Sequence, residues 1–471
     1  MRRCSLTTVV FVVACGLLAA QAPPSRLVIV NARLLDLQAG RVRPVAAVEI
    51  NGATIAAIHA TAPPAGLEGT RVDAGGAVLV PALADLSLQT VPGMDLDSDY
   101  YYSLCLAHGV MLARTVDVHL PWAVQQRRRL EAGDGIAPWL RTSGPAIDMR
   151  TPLGARNQAL LPGGVQPLAR VGDAAGVAAE VRRQAAAGVD WIRLEGNVPL
   201  EGVRMAVAAA RGAKVRVSLA PFATSMTQAA QAGVALLDGL GLPSKSLVDL
   251  ESYTPRTRPQ PGTAPAAVAE SVWAELSAGD RRALVAALRR PGITVAPMLL
   301  AADLVCGAGA NLDRDLAFLP ERLRTPIVGD LTARAEAARL SKVAAGARAG
   351  RLAFVKELVA QGGRVVTASG ARATGFPVPG LAIHREMALL VEAGLAPVDA
   401  IRAATVWADA ALGLPTRGLR PGSPADFFVV RGDPLVNVGD LTNITLLVRA
   451  GEVIDRADLL RQAKRSTGKV Q

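Results

Sequence analysis

Histidine is scarce in this chain, with four in 471 residues: His59, His108, His119 and His384. A catalytic zinc site usually takes three protein ligands plus water, so so few imidazoles, scattered along the chain, exclude an ordinary multi-histidine centre. Cysteine is no more abundant. Cys4 and Cys15 fall near the N-terminus, leaving Cys105 and Cys306, which could pair in an oxidising compartment or stay as buried thiols. Aromatic residues make up only 3% of the chain, which removes the stacking platforms that nucleic-acid binding uses. The formal charge of +11 comes mostly from dispersed arginines, and no dense basic run appears. Nucleic acid is therefore not an expected partner.

What is present is a core. Apolar residues reach 51% and charged residues 19%, the balance of a folded protein. Residues 1–22 read as a signal peptide: Arg2 and Arg3, an apolar run to Ala20, then the small-x-small site Ala20-Gln21-Ala22. The run is too short for a stable membrane span. Export to the periplasm or medium is expected. Val12-Val13-Ala14-Cys15 also resembles a lipoprotein box, but Gly16 to Ala20 continues the apolar run where such a sequence turns polar.

Apolar stretches at 26–35, 41–50 and 54–60 are punctuated by Gly or Asn, the pattern of strands joined by tight turns. A similar pattern returns at 427–430, 444–449 and 451–455. Between the ends, short apolar runs alternate with Ala-rich helical patterns, as repeated βα units do. Strands are expected at 78–89, 110–118, 137–143, 191–196, 215–220, 235–239, 293–299 and 364–369, enough for one (β/α)8 barrel. Helices are expected at 267–290, 333–361 and from 456 onward. Two Pro/Gly-rich stretches, 149–167 and 242–265, interrupt the rhythm where barrel mouths form.

The segment Pro81-Ala82-Leu83-Ala84-Asp85-Leu86-Ser87-Leu88-Gln89 resembles the first barrel strand of the amidohydrolase superfamily, in its imidazolonepropionase and prolidase-like branch. Leu106-Ala107-His108-Gly109-Val110, Ser143-Gly144-Pro145-Ala146, Gly188 to Leu194, Ala232-Gly233-Val234 and His384-Arg385-Glu386-Met387 extend the likeness along most of the chain. The resemblance implies a TIM-like barrel at 81–410 beside a small β-sandwich built from 23–80 and 411–471. It also implies a divalent metal, held by a His-x-His pair, a carbamylated lysine, two further histidines and an aspartate.

This sequence departs from that set at every position. Ser87 and Gln89 stand for the histidine pair, Arg193 for the lysine, Ser218 and Gly239 for the later histidines, and Gly370 for the aspartate. Arginine stays protonated and cannot form the carbamate. Zinc brings the pKa of bound water from 15.7 to about 7, which a lone base such as Asp117, Glu195 or His119 does not reproduce. Ser87, Ser218 and Ser369 have no histidine–carboxylate partner in a recognisable motif. Gln89, Glu195 and Asp238 are the oxygen donors for a hard cation, whereas an Arg193–Glu195 ion pair filling the site is the simpler expectation.

The expectation is thus an exported amidohydrolase-like protein without cofactor, non-catalytic, keeping a pocket for a small ligand or a partner. That partner would be a second copy or an active paralogue. The alternative is a hydrolase of C–N bonds working through a displaced or metal-free site.

Overall fold

The structure is a computed structural model that describes residues 26–61, 67–89, 98–116, 119–132, 134–149, 168–244, 271–305, 342–370 and 378–466, with short backbone pieces between 248 and 332. The expectations at Asp117, Cys306, the signal segment and most of the two Pro/Gly-rich stretches lie outside the described residues.

The two chain ends meet in one sheet. It contains β1 Arg26–Asp36, β2 Arg41–Asn51, β3 Thr54–His59, β4 Thr70–Asp73, β5 Val78–Pro81, β17 Phe427–Val430, β18 Ile444–Arg449 and β19 Glu452–Ile454. The order is β19-β18-β17-β5-β1-β2-β3, with β4 on β1. Strand periodicity explains how the sheet serves two cores. Leu34, Leu79, Phe427, Val429 and Val448 face a small core of the sheet's own, while Leu35, Val78, Val80, Phe428, Val430 and Leu447 face the main core. Strands from both chain ends thus form one hydrogen-bonded sheet that carries this small core.

The rest is mixed α/β with parallel sheets. One holds β6 Leu83–Leu88, β7 Val110–Thr115 and β8 Trp139–Thr142. The other runs β10-β9-β11-β12-β13-β16, from β9 Ala146–Met149, β10 Leu168–Val171, β11 Trp191–Leu194, β12 Arg216–Leu219, β13 Leu236–Asp238 and β16 Thr294–Ala296. A separate pair joins β14 Val248–Asp249 to β15 Thr254–Pro255.

Backbone contacts tie the two parallel sheets together. Ser143 bridges Trp191, Val295 bridges Val365, and the Leu86 amide donates to the Thr367 carbonyl at 3.1 Å. Ala84, Leu86 and Leu112 from one sheet share an apolar cluster with Trp191, Leu236 and Ala296 from the other.

Two strand expectations change, and one strand pair is new. The segment 78–89 divides at Ala82: β5 joins the terminal sheet and β6 the parallel one. The segment 364–369 makes one isolated bridge instead of a strand. The β9–β10 pair was not expected, because four-residue strands carry too little alternation to read. The helices are found at Ala278–Leu288, Lys342–Ala360 and Arg456–Ser466.

Close packing joins the terminal sheet to the first parallel strands. Gly109 turns the chain into β7 at a φ of +76°, and an added Cβ would lie 2.9 Å from the Phe428 ring. Both the left-handed backbone and the missing Cβ are required there. Gly109→Ala is expected to cost about 1–3 kcal/mol of stability in urea unfolding. Phe428→Ala, which empties the partner side of the contact, is expected to cost about 3–5 kcal/mol.

Candidate functional site

The site grows from a charge in an apolar strand. Val110, Met111, Leu112 and Ala113 are buried, and Arg114 follows them with no exposed surface. Ionised guanidinium out of water costs several kcal/mol unless every donor is met by an acceptor. Its Nε donates to the Leu86 carbonyl at 2.7 Å and its Nη1 to Ser218 Oγ at 2.8 Å. Its Nη2 donates to Asp238 Oδ1 in an ion pair buried on both sides. The guanidinium carbon also lies 5.4 Å from the centre of the Trp191 ring.

A second arginine completes the cluster. Arg193 Nη2 lies 3.2 Å from Glu195 Oε1, and its Nε lies 3.6 Å from Asp238 Oδ2. The expected Arg193–Glu195 pair is thus present. Asp238 joins it, although alternation with Gly239 had suggested that the acidic residue faced elsewhere. Two guanidiniums and two carboxylates balance to zero net charge. Asp238 is therefore engaged by two cations and does not gather with Gln89 and Glu195 as an oxygen cage.

Gly239 and Gly370 are occupied differently. A Cβ on Gly239 would lie 3.8 Å from Met298 Sδ, and one on Gly370 would fall 2.0 Å from Met298 Cε. Met298 itself has a φ of +51°, an uncommon left-handed conformation for a side chain of this size. The Met298 methyl packs where a side chain at 370 would stand, and its sulfur would be in ordinary contact with a side chain at 239.

Ser87 and Ser369 serve backbone connections. Asp85 Oδ1 accepts from the amides of both residues, each at 2.9 Å. The Ser369 hydroxyl donates to the Ser87 carbonyl at 3.2 Å. Burial raises the Asp85 carboxyl above its ordinary value, with the Ser369 hydrogen bonds and Arg114 opposing the shift. Gln89 is buried at the end of β6.

None of the histidines enters the cluster. His119 is exposed ahead of the helix Leu120–Glu131. His59 lies 3.5 Å from Glu49 in the terminal sheet. His108 pairs its Nδ1 with the Leu104 carbonyl at 2.8 Å, and burial drives its pKa down to about 3. His384 Nε2 sits 2.8 Å from the His108 carbonyl, which makes the pair a clamp between helices. Cys105 is a buried free thiol whose pKa burial raises.

The metal implied by the family resemblance does not fit these residues. The donors at the implied ligand positions are serine hydroxyls and an amide, Asp238 and Glu195 are paired with arginine, and Asp85 accepts two backbone amides. Among the described residues no three of His, Cys, Asp and Glu come together to hold an ion. A dication would also sit beside two fixed positive charges. A cavity of about 490 Å³ lies in the terminal sheet, lined by Arg33, Asp73, Arg431 and Thr445 among others. None of the sequence-predicted site residues lines it.

Arg114 escaped the sequence reading. Its signal was there: a lone arginine at alternate spacing from Leu112 inside an otherwise apolar strand.

Several solved structures match this architecture end to end. A Xaa-Pro dipeptidase with bound methionine aligns with a TM-score of 0.66 at 17% identity, covering 92% of this chain and all of its own. The chain shares its fold with amidohydrolases. A putative prolidase from Bifidobacterium longum aligns at 0.65 with 19% identity, over 94% of this chain and 100% of that one. A. niger ochratoxinase gives 0.63 at 16%, over 92% and 96%. Neither a protein-family model nor a curated protein sequence matches the chain.

Removing one member of the buried pair should expose its worth. Asp238→Ala leaves Arg114 uncompensated and is expected to cost about 3–5 kcal/mol in urea unfolding. The Arg114→Met, Asp238→Leu double variant is expected to recover most of that loss, since apolar residues of similar volume often replace buried ion pairs without penalty.

Proposed function

We propose that this chain is an amidohydrolase-fold protein whose metal centre has been replaced by an internal ion cluster, and that it does not hydrolyse by the metal route. The parallel strands and the contacts Ser143–Trp191, Val295–Val365 and Leu86–Thr367 support reading them as one closed (β/α)8 barrel. The observation that carries the functional reading is Arg114. Its three donor nitrogens engage Leu86, Ser218 and Asp238 in the space beside Arg193.

A catalytic site needs a nucleophile or base that reaches substrate and a way to activate water. Here Ser218 is engaged by Arg114 and Ser369 by backbone, Asp238 and Glu195 are paired with arginine, and no histidine joins the cluster. The remaining role is binding: a small ligand, a second copy or an active paralogue. The N-terminal signal pattern supports export to the periplasm or medium, with anchoring at Cys15 the less favoured route.

A second reading is C–N bond hydrolysis without the metal, favoured by the fold neighbours. They include the dipeptidase, the prolidases and a protein described as phenylurea hydrolase B. It requires Arg193 or Glu195 to act directly on substrate.

Elemental analysis after zinc loading and dialysis is expected to find well below one equivalent of zinc or manganese per chain. A panel of Xaa-Pro dipeptides and N-acyl amino acids is expected to show no turnover. Stoichiometric metal would overturn the first reading. Turnover abolished by Arg193→Ala would establish the second.

A further inference from the structure

The terminal sheet leaves one strand position open. β1 carries β2 along one edge. Along the other it pairs first with β4, through Leu27–Val30, and then with β5, through Arg33 and Leu34. Between β4 and β5 the chain turns through Ala74–Ala77, with Gly75 and Gly76 at φ of +58° and +77°. β17 covers β5 and ends at Val430, while β4 pairs with β1 alone among the described residues. The cavity of about 490 Å³ lies in this gap. Small-molecule sites commonly enclose about 300–1,000 Å³.

Its walls are apolar with a few placed polar groups, as such sites are built. Ala77 and Val429 are buried members of the small core, and Val72, Ala74 and Leu446 pack against that core. A Cβ on Gly75 or Gly76 would meet no atom within 4 Å, so the turn leaves the space unfilled. Arg33 braces the two sides of the gap. Its Nε donates to the Gly76 carbonyl at 2.8 Å and its Nη2 to the Gly432 carbonyl at 2.7 Å. Its Nη1 lies 3.6 Å from Asp433, which balances its charge. The cavity is thus formed before any ligand arrives, which lowers the cost of binding.

Two charges on the walls remain unspent. Arg431, directly after β17, is exposed, and its guanidinium makes no hydrogen bond or ion pair among the described residues. Asp73, the last residue of β4, accepts from the Gly75 amide at 2.7 Å and has no cationic partner among the described residues. One cation and one acid therefore face the same cavity from its two sides without pairing to each other. We propose that this cavity binds a small zwitterion. Arg431 takes its carboxylate, Asp73 its ammonium, and Val72 and Leu446 pack on a short aliphatic chain. A ligand with a single charge matches only one wall and leaves the other charge unanswered. The site shares no residue with the ion cluster and does not depend on what the parallel sheets bind.

Methyl-labelled full-length protein reads the site directly, because Val72, Val429 and Leu446 line it. The probes are L-leucine, isocaproate, which lacks the ammonium, and isoamylamine, which lacks the carboxylate. Leucine at millimolar concentration is expected to shift the methyl signals of all three residues and to bind about fivefold more tightly than either single-charge probe. Arg431→Gln is expected to erase the advantage of leucine over isoamylamine and keep its advantage over isocaproate. Asp73→Asn retains an acceptor for the Gly75 amide and is expected to do the reverse. A loss of folding cannot produce that crossed pattern. Equal affinity for the three probes, leucine shifts confined to other methyls, or a ranking that neither variant alters would each overturn the proposal.

Discussion

Everything at the centre of this protein depends on keeping one guanidinium dry. Arg114 cannot shed its proton at any accessible pH, so the fold must supply an acceptor for each nitrogen it buries. It draws them from three strands at once: the Leu86 carbonyl on β6, Ser218 on β12 and Asp238 on β13. Such a requirement constrains register more tightly than apolar contact does. A strand shifted by one residue would still bury hydrophobic surface, but it would strand a charge.

The same constraint decides the chemistry. A metal centre needs carboxylates and imidazoles free to donate electron pairs, whereas here Asp238 and Glu195 are paired with arginine. The family resemblance implies ligands at Ser87, Gln89, Arg193, Ser218, Gly239 and Gly370. Five of those positions divide among three tasks. Arg193 and Ser218 belong to the ion cluster, and Gly239 and Gly370 leave room for Met298. Ser87 helps tie β6 to the segment ending at Ser369. The strands at these positions carry their own hydrogen bonds.

Two buried ionisable groups thus differ in kind. The Arg114–Asp238–Arg193–Glu195 group is anchored by cations that stay charged. Glu386 sits among neighbouring acids, with backbone amides as its hydrogen-bond donors, and its protonation changes near neutrality. The first gives a permanent interior. The second is a single carboxyl held by the first two amides of the helix Leu299–Val305.

Much of this was legible in the chain, because periodic features are local. Alternation revealed the terminal strands, and the βα rhythm revealed the parallel sheets. The spacing of Arg193 and Glu195 announced their pairing, since residues two apart in a strand share a face. Tertiary structure alone decided the rest. Arg114 and Asp238 are 124 positions apart, and no pattern along the sequence links them. Met298 reaches Gly239 and Gly370 only because its backbone takes a left-handed turn. Glu386 meets Leu299 and Leu300 across 87 and 86 residues. A charge's partner is set by where strands and helices come to lie in space, and that is a property of packing over long separations, which local sequence does not encode.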